Sequence, residues 1–426
     1  MRMKSKKQLT LALALTLALG GSVPVWAEHI QDKTLTKGDW TLGEELYMEK
    51  SHITADRVSL DGSSIPAAND PVMIVKSSLE GENGIQISNF TVKSSLASTE
   101  GVNLQSSTLA APTISISGLT SSKDSQAHSF YGLFSEPVED YATHQMVQNN
   151  LKADLLHVDG VTTDTALSLY GAMLQAVNLT PYTEGGKTNV TVENVVNTTD
   201  SPDGTLAFGL GNVLGMINLD NPEQSKDLPF VVTGKTQIRN ISSTKGSAVG
   251  AVLYGVSGFD MDDSHTDIHG GDLSVGLYGG VGIVNVENAD INMTGKENEY
   301  AGSYTASVPD YQAADLHQFA IAGPMLGKIN FNDPDGNYTI NGNVIADAGN
   351  QLHVDEAYYQ YYKSQLDDSD INEGQKEYVE AYLKGLETTI QTIKDRQYGS
   401  INLAGHLKLY GDVYAKDGGT VNLHLQ

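Results

Sequence analysis

The richest run of metal-ligating side chains is FDMDDSHTDIHGGD, which holds Asp260, Asp262, Asp263, His265, Asp267, His269 and Asp272. In a β-strand, residues two apart share a face. His265, Asp267 and His269 would then line up on one side, a set that zinc or manganese accepts. The spacing matches no recognised site, and an exposed polar strand has the same composition. The acidic turn DDSDINEG is the second candidate. Asp368, Asp370 and Asn372 stand at the first, third and fifth positions of an EF-hand-like calcium loop. The glycine needed sixth comes seventh, as Gly374, and the twelfth position is Val379, with Glu380 one residue late. A capping turn between two helices explains the same residues, with Asp370 and Glu373 placed as a capping box. NDPDGNY, Asn332 to Tyr338, reads first as a turn through its Asp-Pro and Asp-Gly pairs.

Covalent and hydrolytic chemistry has no motif here. The chain carries no Gly-x-Ser-x-Gly, no His-Glu-x-x-His and no phosphate-binding loop. Paired carboxylates could cleave a polysaccharide by acid–base chemistry. With 52 acidic residues, however, such pairs arise without a function, and bases to hold a uronate are sparse in the repeats. His29, His52, His128, His144, His157, His317, His353, His406 and His424 are scattered and read as surface or strand histidines. The expectation is a non-catalytic chain without a cofactor; calcium is the alternative.

Acids outnumber bases 52 to 26, which argues against a nucleic-acid partner, since phosphate binding needs a basic face. The absence of cysteine leaves burial and hydrogen bonds alone to stabilise an exported chain. Export is expected because residues 1–27 read as a signal peptide. Arg2, Lys4, Lys6 and Lys7 precede the apolar run from Leu9 to Leu19, and Val25-Trp26-Ala27 ends it. No later run is long and apolar enough for a membrane helix, so none is expected in the mature chain.

Two short cassettes recur. One reads Ile/Val-x-Gly/Asn-apolar, starting at Ile87, Ile116, Val158, Val192 and Ile238, with a weaker copy at Ile268. The other is an aromatic–glycine pair at Tyr131, Tyr170, Phe208, Tyr254, Tyr278 and Tyr410. Starts of the first cassette lie 29 to 46 residues apart, the range of arrays whose units bury their faces on one another. QISNFTVK, TISISGL and TNVTVENVV alternate apolar and polar residues, the pattern of strands. Gly and Asn tolerate left-handed backbone and mark corners. The residue before each aromatic would point inward, the glycine would make a corner, and the tyrosines would cap turns or form an exposed row. The fold expected is all-β, a right-handed parallel β-helix or β-solenoid.

One stretch breaks the β pattern. Val379, Leu383, Leu386, Ile390 and Ile393 form a helical stripe, with Tyr358, Tyr361, Tyr362 and Gln365 as its counterpart. The organisation expected is a signal peptide at 1–27, solenoid at 28–354, an inserted helical hairpin at 355–397, and solenoid again at 398–426.

GKINFNDPDGNYTINGNVIADAGNQLHV and the closing INLAGHLKLYGDVYAKDGGTVNLHLQ, with the signal peptide and the cysteine-free acidic repeat, resemble the passenger region of Gram-negative autotransporters. The resemblance is one of texture over the mature chain, and the nucleophile motif of the serine-protease subset is missing. It implies a surface or secreted structural and adhesive protein that meets host or neighbouring-cell molecules or glycans. It also implies an outer-membrane anchor supplied by a C-terminal β-barrel that this sequence lacks, so the chain reads as truncated. A β-helix polysaccharide lyase or hydrolase, and a calcium-dependent surface module, are the alternatives.

Overall fold

The computed structural model describes residues 28–424 apart from 95, 137, 141–144, 176, 202–203, 213–231, 254–259, 266–267, 271–272, 280–281, 294–317, 324–326, 350 and 367–371. Strands too short to bury a face alone recur every pass of the chain and pair with their counterparts one pass away. One such row among the described residues joins twelve strands. It runs from Glu28–Gln31 through Ser98–Gln105, Ser129–Glu136, Ser168–Leu174, Leu206–Asn212, Ser247–Leu253 and Leu273–Gly279 to Val413–Lys416. Its pairings are parallel.

A second sheet branches at the long strand His52–Asp61. Its first half pairs with Ser78–Gly81 and its second half with Ile85–Ser88, so two rows leave it. One continues through Thr108–Ala110 and Asn149–Lys152 to Val177–Thr180. The other continues through Thr113–Ser121, Leu155–Thr163, Asn189–Asn197 and Thr236–Ser243 to Ile268–Gly270. Two four-stranded parallel sheets succeed these toward the C-terminus. The chain is thus mostly β, a parallel, solenoid-like stack, and the inner faces share one apolar core that runs from Ile30 to Leu403. Each fully buried Ile, Val or Leu adds about 1.5–3 kcal/mol, and neighbouring passes supply the cover.

The first cassette sets a corner. Asn89, Gly118, Gly160, Asn194 and Asn240, its third residues, all have left-handed φ between 50° and 68°. Their strands are in register, so the corners stack. The weaker copy does not join them: Ile268 pairs with Ile241, the residue after the corner, and not with Ile238. A second corner has no glycine. Asp32, Lys50, Lys76 and Ser106 are left-handed there, and the next serines tie the passes together. Ser51 N donates to Ser77 Oγ at 2.9 Å, Ser77 N to Ser107 Oγ at 3.1 Å, and Ser107 N to Asn149 Oδ1 at 2.7 Å. These bonds offset backbone strain of about 1 kcal/mol or more per residue.

The aromatic–glycine pair plays a different part from the one expected. Gly132, Gly171 and Gly209 lie inside continuous strands, and none has left-handed φ; Gly250, which follows Val249 and not an aromatic, stands opposite Gly209 in the same column. Each marks a one-residue slip in the inward phase: Phe130, Leu133 and Ser135 are all buried, while Tyr131 and Phe134 are half-buried. A Cβ on Gly132 would fall 2.7 Å from Val161 Cγ2 across the core, and 2.6 Å from the carbonyl oxygen of Gly171 on the next pass. Glycine is therefore required for space. Tyr131, Tyr170 and Phe208 share one register position. Tyr278 stands three residues further along, opposite Val252, and Tyr410 pairs with Asn341 in another sheet. Tyr254 lies outside the described residues, as do residues 1–27, for which a signal peptide was expected.

Asparagines link the last passes. In one of the four-stranded sheets Asn330, Asn402 and Asn422 each donate Nδ2 to Oδ1 of the preceding rung, Asn285, Asn330 and Asn402, at 2.7 Å. The helical insert begins at Gln351, earlier than 355. Helix α1 is Gln351–Gln365 and α2 is Glu373–Arg396. Val379, Leu383 and Ile393 are buried, as their spacing requires, and Leu386 and Ile390 are half-buried. The cap of α2 is Asn372 with Gln375, and not Asp370 with Glu373: Asn372 Oδ1 accepts from Gln375 N at 3.0 Å and Gln375 Oε1 accepts from Asn372 N at 3.1 Å.

Candidate functional site

Several of the residues named from the sequence lie outside the described residues. His265 ends the strand Asp260–His265, which pairs with Asn288–Asn292, whereas His269 stands in Ile268–Gly270, which pairs with Ile241–Ser243. The two histidines do not share one continuous strand, and Asp267 lies outside the described residues. Asp368 and Asp370 also lie outside them, and Asn372 is occupied as a helix cap. NDPDGNY is a turn: Asp335 N donates to Asp333 Oδ1 at 2.9 Å, and the buried Tyr338 donates its hydroxyl to Val286 O at 2.9 Å.

The exterior of the large row brings together groups that single-strand reading does not connect. Glu100, Tyr131, Tyr170 and Phe208 occupy successive rungs. The rings of Tyr131 and Tyr170 lie 4.6 Å apart at 12°, and those of Tyr170 and Phe208 lie 4.8 Å apart at 13°. The planes thus face along the stack and cover one another. Both faces of Tyr170 are thereby covered, so no sugar can stack on that ring. Burial, then the neighbouring Tyr170, pushes the Tyr131 hydroxyl up to about 12.

Beyond Tyr131 lies a carboxyl group cluster. Asp70 and Glu100 are 9% and 7% exposed, and Asp70 Oδ1 accepts from Glu100 N at 2.9 Å and Thr99 Oγ1 at 3.2 Å. Burial raises Glu100 well above the usual carboxylate range, and the charge of Asp70 raises it further. Burial also raises Asp70 and Glu136. Two adjacent carboxyls that share a proton could serve acid–base chemistry. Here both are sealed from solvent, so an extended polymer has no access to them in this arrangement.

Open aromatic surface is found on the helical insert instead. Tyr358, Tyr361, Tyr378 and Tyr382 are 50%, 58%, 67% and 38% exposed. Tyr362 joins the two helices, its ring 5.2 Å from that of Tyr361 and 4.6 Å from that of Tyr382. Tyr358 and Tyr361 therefore turn away from the packing role their spacing suggested. The groove between the helices carries paired polar groups: Tyr359 donates to Glu387 at 2.5 Å and Lys394 to Glu356 at 2.6 Å. Among the described residues no helix is long and apolar enough to cross a membrane, which does not bear on β-barrels.

No family model matches the chain, and no curated protein or solved structure matches it.

Proposed function

We propose that this chain is a non-catalytic adhesive protein, displayed on the surface of a Gram-negative bacterium or released from it, of the autotransporter-passenger type. In this reading the parallel stack closes as a right-handed β-helix that serves as a stalk, and the helical insert is its contact element. The observation that carries the reading is the exposed cluster of Tyr358, Tyr361, Tyr378 and Tyr382 on that insert. Tyrosine supplies large, rigid, amphipathic contact area at low entropic cost, and exposed aromatic groups of this kind mark interaction sites. The acidic composition and the signal-like N-terminus support export.

Labelled protein comprising residues 28–426 tests this on glycan arrays and cultured cell surfaces, beside a variant carrying Tyr358→Ser, Tyr361→Ser and Tyr378→Ser. The expected outcome is saturable binding by the parent and loss of about tenfold or more in the variant at unchanged circular dichroism. Absence of binding by the parent, or equal binding by both, would overturn the reading. The polysaccharide-cleaving alternative is tested on the same array by product release.

A further inference from the structure

A second polar group stands on the outer side of the cornered row. Strand Leu155–Thr163 turns Leu156, Val158 and Val161 fully inward, which sends His157 and Asp159 outward, two residues apart on one face. On the next strand, Asn189–Asn197, the buried Val190 and Val192 fix Glu193 outward directly opposite Asp159. His157 is diagonal to Glu193, and its Nε2 lies 2.8 Å from Glu193 Oε1. One donor atom from each of His157, Asp159 and Glu193 falls within 4.8 Å of the others, and all three side chains are half-buried.

We propose that His157, Asp159 and Glu193 bind a divalent transition-metal ion of the zinc class. The donor set selects the metal. Calcium asks for about six to eight oxygens, whereas one imidazole and two carboxylates suit zinc, which binds nitrogen and oxygen at about 2.0–2.2 Å. Three protein donors leave a further position for water or an external ligand. Around zinc, tetrahedral donors are about 3.3 Å apart, so the His157–Glu193 contact opens by about half an ångström and the wider separations close.

The neighbours already orient the donors. Asn194 Nδ2 donates to Asp159 Oδ1 at 2.6 Å, which leaves Asp159 Oδ2 to the ion. Arg239 pairs in register with Glu193, its Nη1 4.0 Å from Oε2, on the oxygen that His157 does not contact. Such outer partners fix ligand geometry and commonly change affinity by about 10–100-fold when removed. Arg239 also opposes the ion by charge, but two carboxylates outweigh it. The corners at Gly160 and Asn194 follow immediately, and the registered backbone of both strands holds the donors without a flexible loop.

Chelator-treated protein, residues 28–426, is titrated with zinc chloride and separately with calcium chloride by calorimetry. The expected result is one zinc bound per chain with a dissociation constant of about 10 µM or tighter, and no saturable calcium binding through these residues. His157→Ala and Glu193→Gln should each weaken zinc by about tenfold or more, while His128→Ala leaves it unchanged. In the unsubstituted protein the His157 ring nitrogens should shift on zinc addition in an NMR titration, a readout independent of variant folding. No saturable zinc binding, or binding that neither substitution weakens and that leaves the His157 signals in place, would overturn the proposal.

Discussion

Gly171 and Val195 face each other across the core of one pass, so that a Cβ on Gly171 would lie 2.7 Å from Val195 Cγ2. Val192 Cγ1 would be equally near, and Gly209 O of the following pass would be at 2.8 Å. The same relation recurs between Gly132 and Val161 and between Gly209 and Ile241; Gly250 meets Ile268 likewise, outside the two cassettes. The two sequence cassettes are therefore complementary: the apolar residue after each corner fills the space that the glycine leaves.

Gly171→Ala should cost about 1–3 kcal/mol, since the added methyl meets backbone as well as side chain. Adding Val195→Ala should not cost its usual full amount, because each change makes room for the other. Urea unfolding measures both. A Gly171→Ala protein as stable as the parent would show that the column is not close-packed.

Glu100 makes stability depend on pH. Its folded-state pKa is raised, chiefly by burial and then by Asp70. A carboxyl raised on folding gives stability that is full below its unfolded value and is lost as pH rises through the folded value. Thermal melting should therefore fall as pH rises above about 4, and Glu100→Gln should flatten that fall and melt higher than the parent at neutral pH. Asp70 and Glu136 are raised by burial too and leave a residual slope. An identical pH profile in parent and variant would contradict the assignment.

Tyr170 holds two ring contacts, to Tyr131 and Phe208. Tyr170→Ala should cost about 1–3 kcal/mol, the sum of two aromatic pairs, while Tyr170→Phe, which keeps both ring contacts, should cost less. Denaturant midpoints distinguish the two. Equal losses would place the stabilisation in the hydroxyl and not in the stack.

The corner at Asn89, Gly118, Gly160, Asn194 and Asn240 was legible because left-handed backbone restricts composition at one position of a short motif. The corner at Asp32, Lys50, Lys76 and Ser106 was not, since lysine and serine carry no such signature and the stabilising serine bonds cross between passes. Ile268-His-Gly-Gly imitated the cassette by composition, yet pairing shifts it by three residues. Tyr278 and Tyr410 were misplaced similarly: the register follows the glycine column, so an aromatic–glycine pair alone does not define a position. Helical period revealed the insert, but tyrosine suits both a packed and an exposed face, so Tyr358 and Tyr361 could not be placed. The His157–Asp159–Glu193 group needed the register of two strands, and Glu193 lies 36 residues from His157. His265 and His269 fall in strands that pair with different partners, and Asp267 lies outside the described residues.

The most direct test of the proposed function is the location of the chain on living cells. Antibodies against residues 28–426 are applied to intact cells of a Gram-negative bacterium that expresses the chain, before and after external protease. Surface display predicts labelling of unpermeabilised cells, or recovery of the chain from the medium, with protease abolishing the cell-bound signal. Labelling only after the outer membrane is permeabilised, with no chain in the medium, would contradict the account.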